Sequence, residues 1–107
     1  MIRVSIYKKS GLYEGFAVTG HSGYNEFGKD IICAAVSALV INTVNSIENF
    51  TEDAFELTSD EEQGMIEVRF KSEPGHDSRL LLDSMVQGLE GVRKESKDYI
   101  EIIYKEE

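Results

Sequence analysis

The sequence predicts an α+β fold: a two-layer sandwich in which a mixed or antiparallel five-stranded sheet carries two helices on one face. Three observations predict it. Five short runs alternate apolar and polar residues with the two-residue period of a half-buried strand. Two longer runs repeat their apolar residues at helical spacing. The runs follow one another as ββαββαβ, and two helices that each carry an apolar stripe need a shared sheet face on which to bury it. Residues 1–107 read as one domain, with no internal shift in composition, and a chain of 107 residues can bury a core of its own.

The elements follow in order. Ile2, Val4 and Ile6 alternate with Arg3, Ser5 and Tyr7 as the first strand, and Lys8 to Gly11 reads as a turn. Leu12, Glu14, Phe16 and Val18 share one face of a second strand that runs up to Gly20 and completes a hairpin. Ser22 to Lys29 lacks periodicity. With Gly23 and Gly28 it reads as a loop, and its aromatic Tyr24 and Phe27 are unusual for a plain linker. Asp30 is placed to cap a helix that runs to about Asn49. Ile32, Val36, Leu39, Thr43 and Ile47 form one stripe of that helix, and Cys33, Ser37, Val40 and Val44 form a second.

Phe55 and Leu57 then alternate with polar neighbours as a third strand, Ser59 to Gly64 forms an acidic turn, and Ile66, Val68 and Phe70 mark a fourth strand. After Pro74 and Gly75, a second helix is expected from about Asp77 to Glu95, with Leu81, Leu82, Met85, Val86, Leu89 and Val92 on its apolar face. Gly88 and Gly91 lie inside it, each costing about 1 kcal/mol against alanine, which argues for close packing at both. Tyr99 to Tyr104 closes the sheet with Ile100, Ile102 and Tyr104 on one face.

Composition narrows the function. The net charge of −9 excludes the basic surface that a phosphate backbone requires, so no direct nucleic-acid binding is expected. The same charge suits a basic polypeptide partner, or serves solubility alone. No stretch reads as the ~18 apolar residues of a membrane span, and no membrane partner is expected. Met1 to Ser5 reads as strand rather than as part of a signal peptide. A single cysteine cannot form an internal disulfide, which makes a reducing cytoplasm the expected setting.

That cysteine, Cys33, lies three residues after the expected cap. A thiolate is the reactive form of cysteine, and its pKa falls at a helix N-terminus or beside an imidazolium. His21, at the end of the second strand between Gly20 and Gly23, can supply the imidazole and the proton that a leaving amine needs. First-turn backbone N–H groups can hold an oxyanion. Each residue also has a plainer reading. Cys33 can be a small buried hydrophobe beside Ala34 and Ala35. His21 can sit idle on the surface. Asp30 can cap the helix, orient His21 or meet substrate. Ser37, one turn after Cys33, can bond locally or toward the site. His76, the rival histidine, opens the second helix. No ligand pair has a recognisable zinc spacing, and neither a metal nor another cofactor is expected.

The run Gly20-His21-Ser22-Gly23-Tyr24, followed by Gly28-Lys29-Asp30-Ile31-Ile32-Cys33-Ala34-Ala35-Val36-Ser37-Ala38, closely resembles the bacterial ribosomal-processing cysteine protease family, Prp. The resemblance is specific across about residues 20–45, and the element order is consistent along the whole chain. It implies a Cys–His dyad with the nucleophile at Cys33 and its partner at His21. It carries supporting roles to Asp30 and Ser37. It also implies a homodimer that trims the N-terminal extension of a precursor large-subunit ribosomal protein. On this reading Gly20, Ser22, Gly23, Tyr24, Phe27 and Gly28 belong to a loop that meets the extended substrate. Two readings of other classes stand beside it: a non-catalytic ribosome-associated binding module with a buried structural cysteine, and a metal-binding regulator.

Overall fold

Ser10 and Gly11 both have positive φ, 52° and 79°, the backbone of a tight hairpin turn whose twist suits the flanking strands. They join β1 (Ile2–Lys9) to β2 (Leu12–Thr19). The computed structural model describes residues 1–20 and 27–107, and the backbone alone for residues 27–30. The remaining elements are α1 (Phe27–Phe50), β3 (Phe55–Asp60), β4 (Met65–Phe70), α2 (His76–Glu95) and β5 (Ile100–Glu106), which is the expected ββαββαβ order.

The sheet runs β3-β4-β2-β1-β5. Its neighbours are antiparallel except β1 and β5, which are parallel, so the sheet is mixed. Ile2, Val4, Ile6, Phe16, Val18, Val68 and Ile100 point from it into one core. Val36, Val40 and Ile47 of α1 and Leu82, Met85 and Leu89 of α2 close that core from the helical side. Both helices therefore lie on the same face. The buried line on α1, Val36, Val40, Thr43 and Ile47, falls between the two expected stripes, while Ile32, Cys33, Leu39 and Val44 flank it half-buried.

Four details differ from the sequence expectation. In β2, Tyr7 pairs with Gly15 but Lys8 pairs with Tyr13, so Glu14 is an inserted residue. This β-bulge reverses the side-chain parity beyond it. Tyr13 becomes buried and donates its hydroxyl to Asp83 of α2 at 2.5 Å, while Leu12 moves out to 37% exposure. A strict two-residue period cannot register an insertion. Gly15 belongs to the same irregularity: a Cβ there would lie 2.1 Å from the Val68 carbonyl oxygen on β4.

The second difference is the start of α1. It begins three residues before Asp30, so Asp30 is an interior residue rather than the cap, and Phe27 and Gly28 are helical rather than part of a loop. Extending an existing helix by one residue adds a hydrogen bond without a new nucleation cost, and a single interior glycine opposes this by only about 1 kcal/mol. Third, Ile31–Phe50, with a mean hydropathy of 1.6, is long and apolar enough by length and composition to cross a membrane, which the sequence reading had discounted. In the fold Val36, Val40 and Ile47 enter the core and Leu39 meets α2, while Ile31, Ile41 and Phe50 stay exposed.

The glycines of α2 make the fourth. A Cβ at Gly88 would lie 2.9 Å from Leu39 Cδ2, so the two helices do meet closely there, whereas a Cβ at Gly91 would meet nothing within 4 Å. The start of α2 has no side-chain cap. Instead the Gly75 N–H and the wholly buried Ser78 hydroxyl both donate to Asp53 Oδ2, at 3.0 and 2.5 Å. Ser78 also lies 3.3 Å from the Thr51 hydroxyl. These bonds pin the beginning of α2 to the chain that leaves α1.

Candidate active site

The helix pairing decides which residues can meet. Ser78 sits beside Thr51, and Gly88 beside Leu39, so α1 and α2 run antiparallel. Six further residues along each helix bring Lys94, in the last turn of α2, level with Cys33 near the start of α1. From there α2 turns through Ser96 and Tyr99, and the Tyr99 carbonyl accepts from the Ile2 N–H at 2.8 Å at the head of the β1–β5 pair. Arg3 pairs with Thr19, so the end of β2 lies at this same edge of the sheet. Gly20 follows with φ of +79°, and a Cβ there would lie 2.5 Å from the Met1 carbonyl oxygen. Only glycine satisfies both conditions at once. Cys33 and Gly20 thus share one end of the molecule.

Cys33 is half-buried, packed at the margin of the core on the α1 face that carries Ser37, also half-buried, one turn later. It is therefore not the wholly buried residue that a purely structural cysteine would be. Phe27, Gly28 and Asp30 lie on the first turns of α1. His21, Ser22, Gly23 and Tyr24 fall outside the described residues. His21 directly follows Gly20 in sequence.

The early start of α1 changes one part of the chemistry. Cys33 becomes the seventh residue of the helix rather than a first-turn residue. The dipole effect on a charge fades beyond the first turn. The free N–H groups of a helix belong to its first four residues, here Phe27 to Asp30, and the Cys33 N–H is engaged within the helix. The first-turn N–H groups expected to hold an oxyanion are therefore those of Phe27 to Asp30, about one turn or more before Cys33. An imidazolium placed beside a thiol is the other means by which its pKa falls.

His76 is placed elsewhere. It opens α2, is exposed, and lies 3.1 Å from Asp77 through its Nδ1. The start of α2 is pinned to the C-terminal end of α1, and the seventeen-residue step from Cys33 to Phe50 spans about 25 Å of helix. Among the described residues no three His, Cys, Asp or Glu side chains gather to hold a metal ion.

Sequence reading missed one surface feature. Between α1 and the β3–β4 hairpin lies an apolar groove of about 440 Å³, open to solvent, with Val40, Ile41 and Val44 on one side and Leu57, Met65 and Ile66 on the other. Ile41 belongs to neither stripe of α1. An apolar residue off the stripes was the available signal.

Comparison with known proteins follows the same line. The sequence model of the family described as "Cysteine protease Prp" matches residues 1–101. The ribosomal processing cysteine protease Prp of Staphylococcus aureus is 28% identical over 106 residues, covering 98% of this chain and all of that one. The protein of the same name from Bacillus subtilis is 29% identical over 91 residues, 81% of each chain. The crystal structure of the S. aureus protease in complex with a substrate peptide superposes with a TM-score of 0.92 at 27% identity, covering 98% of this chain and all of that chain. A second structure, of the same protease with a covalently linked product peptide, gives 0.88 at 28% identity over the same shares. SMU.848 from Streptococcus mutans gives 0.91 at 26% identity, covering all of this chain and 99% of its own.

Proposed function

The chain belongs to the cysteine protease Prp family and is a hydrolase of peptide bonds, and from that premise we propose that it removes the N-terminal extension of a precursor large-subunit ribosomal protein through a Cys33–His21 dyad. The observation that carries the proposal is the placement of Cys33 at the end of the molecule where Gly20 closes β2, with His21 the next residue in sequence. The relatives are ribosomal processing cysteine proteases, and structures of the S. aureus protease with a substrate peptide and with a covalently linked product peptide support the reading.

In this mechanism the Cys33 thiolate attacks the scissile carbonyl, and His21 holds the thiol proton as an imidazolium. The tetrahedral intermediate collapses as His21 gives that proton to the leaving amine, which departs and leaves a thioester on Cys33. Water, deprotonated by His21, then hydrolyses the thioester and returns the thiol. Asp30 and Ser37 lie within one turn of Cys33 and act in support. The segment from Gly20 to Gly28 meets the substrate. The enzyme works as a cytoplasmic homodimer, a state that sedimentation reads directly.

Mixing the protein with the precursor and weighing the products tests the reading. One shortened product is expected with the parent protein and none with Cys33→Ala or His21→Ala, both still folded by circular dichroism. The double variant should be no worse than either single one, because members of one catalytic unit are strongly non-additive. Undiminished cleavage by folded His21→Ala would end the dyad assignment.

A further inference from the structure

The groove beside α1 lies on a line with the nucleophile. Val40 and Val44 follow Cys33 by seven and eleven residues, which places them within about 20° of it around the helix axis and about 10 and 16 Å further along. Facing them are β3, an edge strand, and β4. Ile41 of α1 and Leu57 of β3 both line the groove and are 49% and 54% exposed, a large solvent exposure for aliphatic side chains. Asp60 and Glu61 stand at the rim, and among the described lining residues there is no lysine or arginine. The floor is therefore apolar and the rim negative.

We propose that this groove seats apolar side chains of the polypeptide being cleaved, with a neighbouring lysine or arginine received by Asp60 and Glu61. The proposal rests on the protease reading above. An extended chain advances about 3.3 Å per residue, so the seated side chains lie about three to five residues from the scissile bond. Two features of the structure select a peptide over a second copy of this chain. The groove continues the α1 face that presents Cys33, so a substrate leaving the nucleophile along the helix enters it. Two copies of this groove laid together would also bring Asp60 and Glu61 of both into one interface with no lysine or arginine among the described lining residues to pair them.

The test separates binding from chemistry. Fluorescein-labelled peptides tiled over the N-terminal extension of the precursor are titrated by anisotropy against Cys33→Ala protein, which binds without cutting. Leu57→Asp and Ile41→Asp are added singly to that background; both positions are exposed, and circular dichroism checks the fold. At least a tenfold rise in Kd is expected from each, and Glu61→Lys should weaken peptides that carry a lysine or arginine more than those that do not. With the nucleophile restored, Leu57→Asp should raise KM for the full precursor by the same factor and leave kcat within twofold. An unchanged Kd in both aspartate variants overturns the proposal, as does a dimer that Leu57→Asp splits into monomers still binding peptide at the parental Kd. Failure of the parent protein to cut the precursor would instead strike the protease substrate assignment, since the anisotropy titration needs no cleavage.

Discussion

His76→Ala is expected to leave cleavage intact, and the reason is geometric. A base must come within about 2.6–3.2 Å of the thiol, or somewhat more in a free enzyme. The first turn of α2 is held to Asp53 and Thr51 by the Gly75 N–H and the Ser78 hydroxyl. Cys33 lies about 25 Å back along α1 from that point. No side-chain rotation spans this distance, and moving the α2 start would expose Ser78, which is wholly buried. kcat/KM of His76→Ala should therefore stay within twofold of the parent. His21→Ala should lose at least the factor of about 10²–10⁴ that a positioned acid–base group supplies. The assay is initial-rate cleavage of the precursor, followed by mass spectrometry, with each variant checked by circular dichroism. A large loss in His76→Ala with the fold intact would refute the end-to-end argument, because a histidine on the opposite end of the helix layer would then be serving Cys33.

Three further outcomes follow from particular residues. Alkylation of Cys33 by iodoacetamide should titrate with a midpoint below the ordinary thiol value of about 8.5, and His21→Ala should move that midpoint up; identical midpoints would show that the histidine leaves the thiol untouched. In urea unfolding, Gly91→Ala should raise stability by about 0.5–1 kcal/mol, since its Cβ enters open space, while Gly88→Ala should fail to gain because its Cβ meets Leu39; equal gains would contradict the helix contact. At alkaline pH, burial first and the Asp83 bond second push the Tyr13 phenol well above 10, and burial with the Glu90 bond pushes Tyr104 up to about 12. A folded-state pKa raised above its unfolded value of about 10 gives stability that is complete below pH 10 and is lost as pH rises through the folded value. Tyr13→Phe should flatten that loss, and an unchanged alkaline limb would show that the phenol does not titrate with unfolding.

The architecture was legible because it rests on apolar period. Ile2, Val4 and Ile6, or Leu82, Met85 and Leu89, announce their element by spacing, and the core closes on those residues. Two kinds of feature escaped. The Glu14 insertion depends on register between two strands, so nothing in β2 alone reveals that Tyr13 turns inward. Gly88 and Gly91 look alike in sequence, and only the neighbour differs: Leu39 for one and solvent for the other. Local pattern specifies an element and its face. Contacts set by another element's register are invisible to it.

The candidate site shows the same division more sharply. Gly20, Cys33 and their loop stood out because glycine, histidine and a lone cysteine carry chemistry that packing does not require. The helix start was misread because Asp30 is both a good cap and a tolerable interior residue, and the sequence holds no stop between Phe27 and Asp30. The consequence reaches the mechanism. With α1 beginning at Phe27, the dipole adds little at Cys33, and the amides around it are already bonded. If the proposed dyad operates, the alkylation midpoint should respond to His21→Ala far more than to any charge change at the helix start. That contrast distinguishes a dyad from a helix-activated thiol.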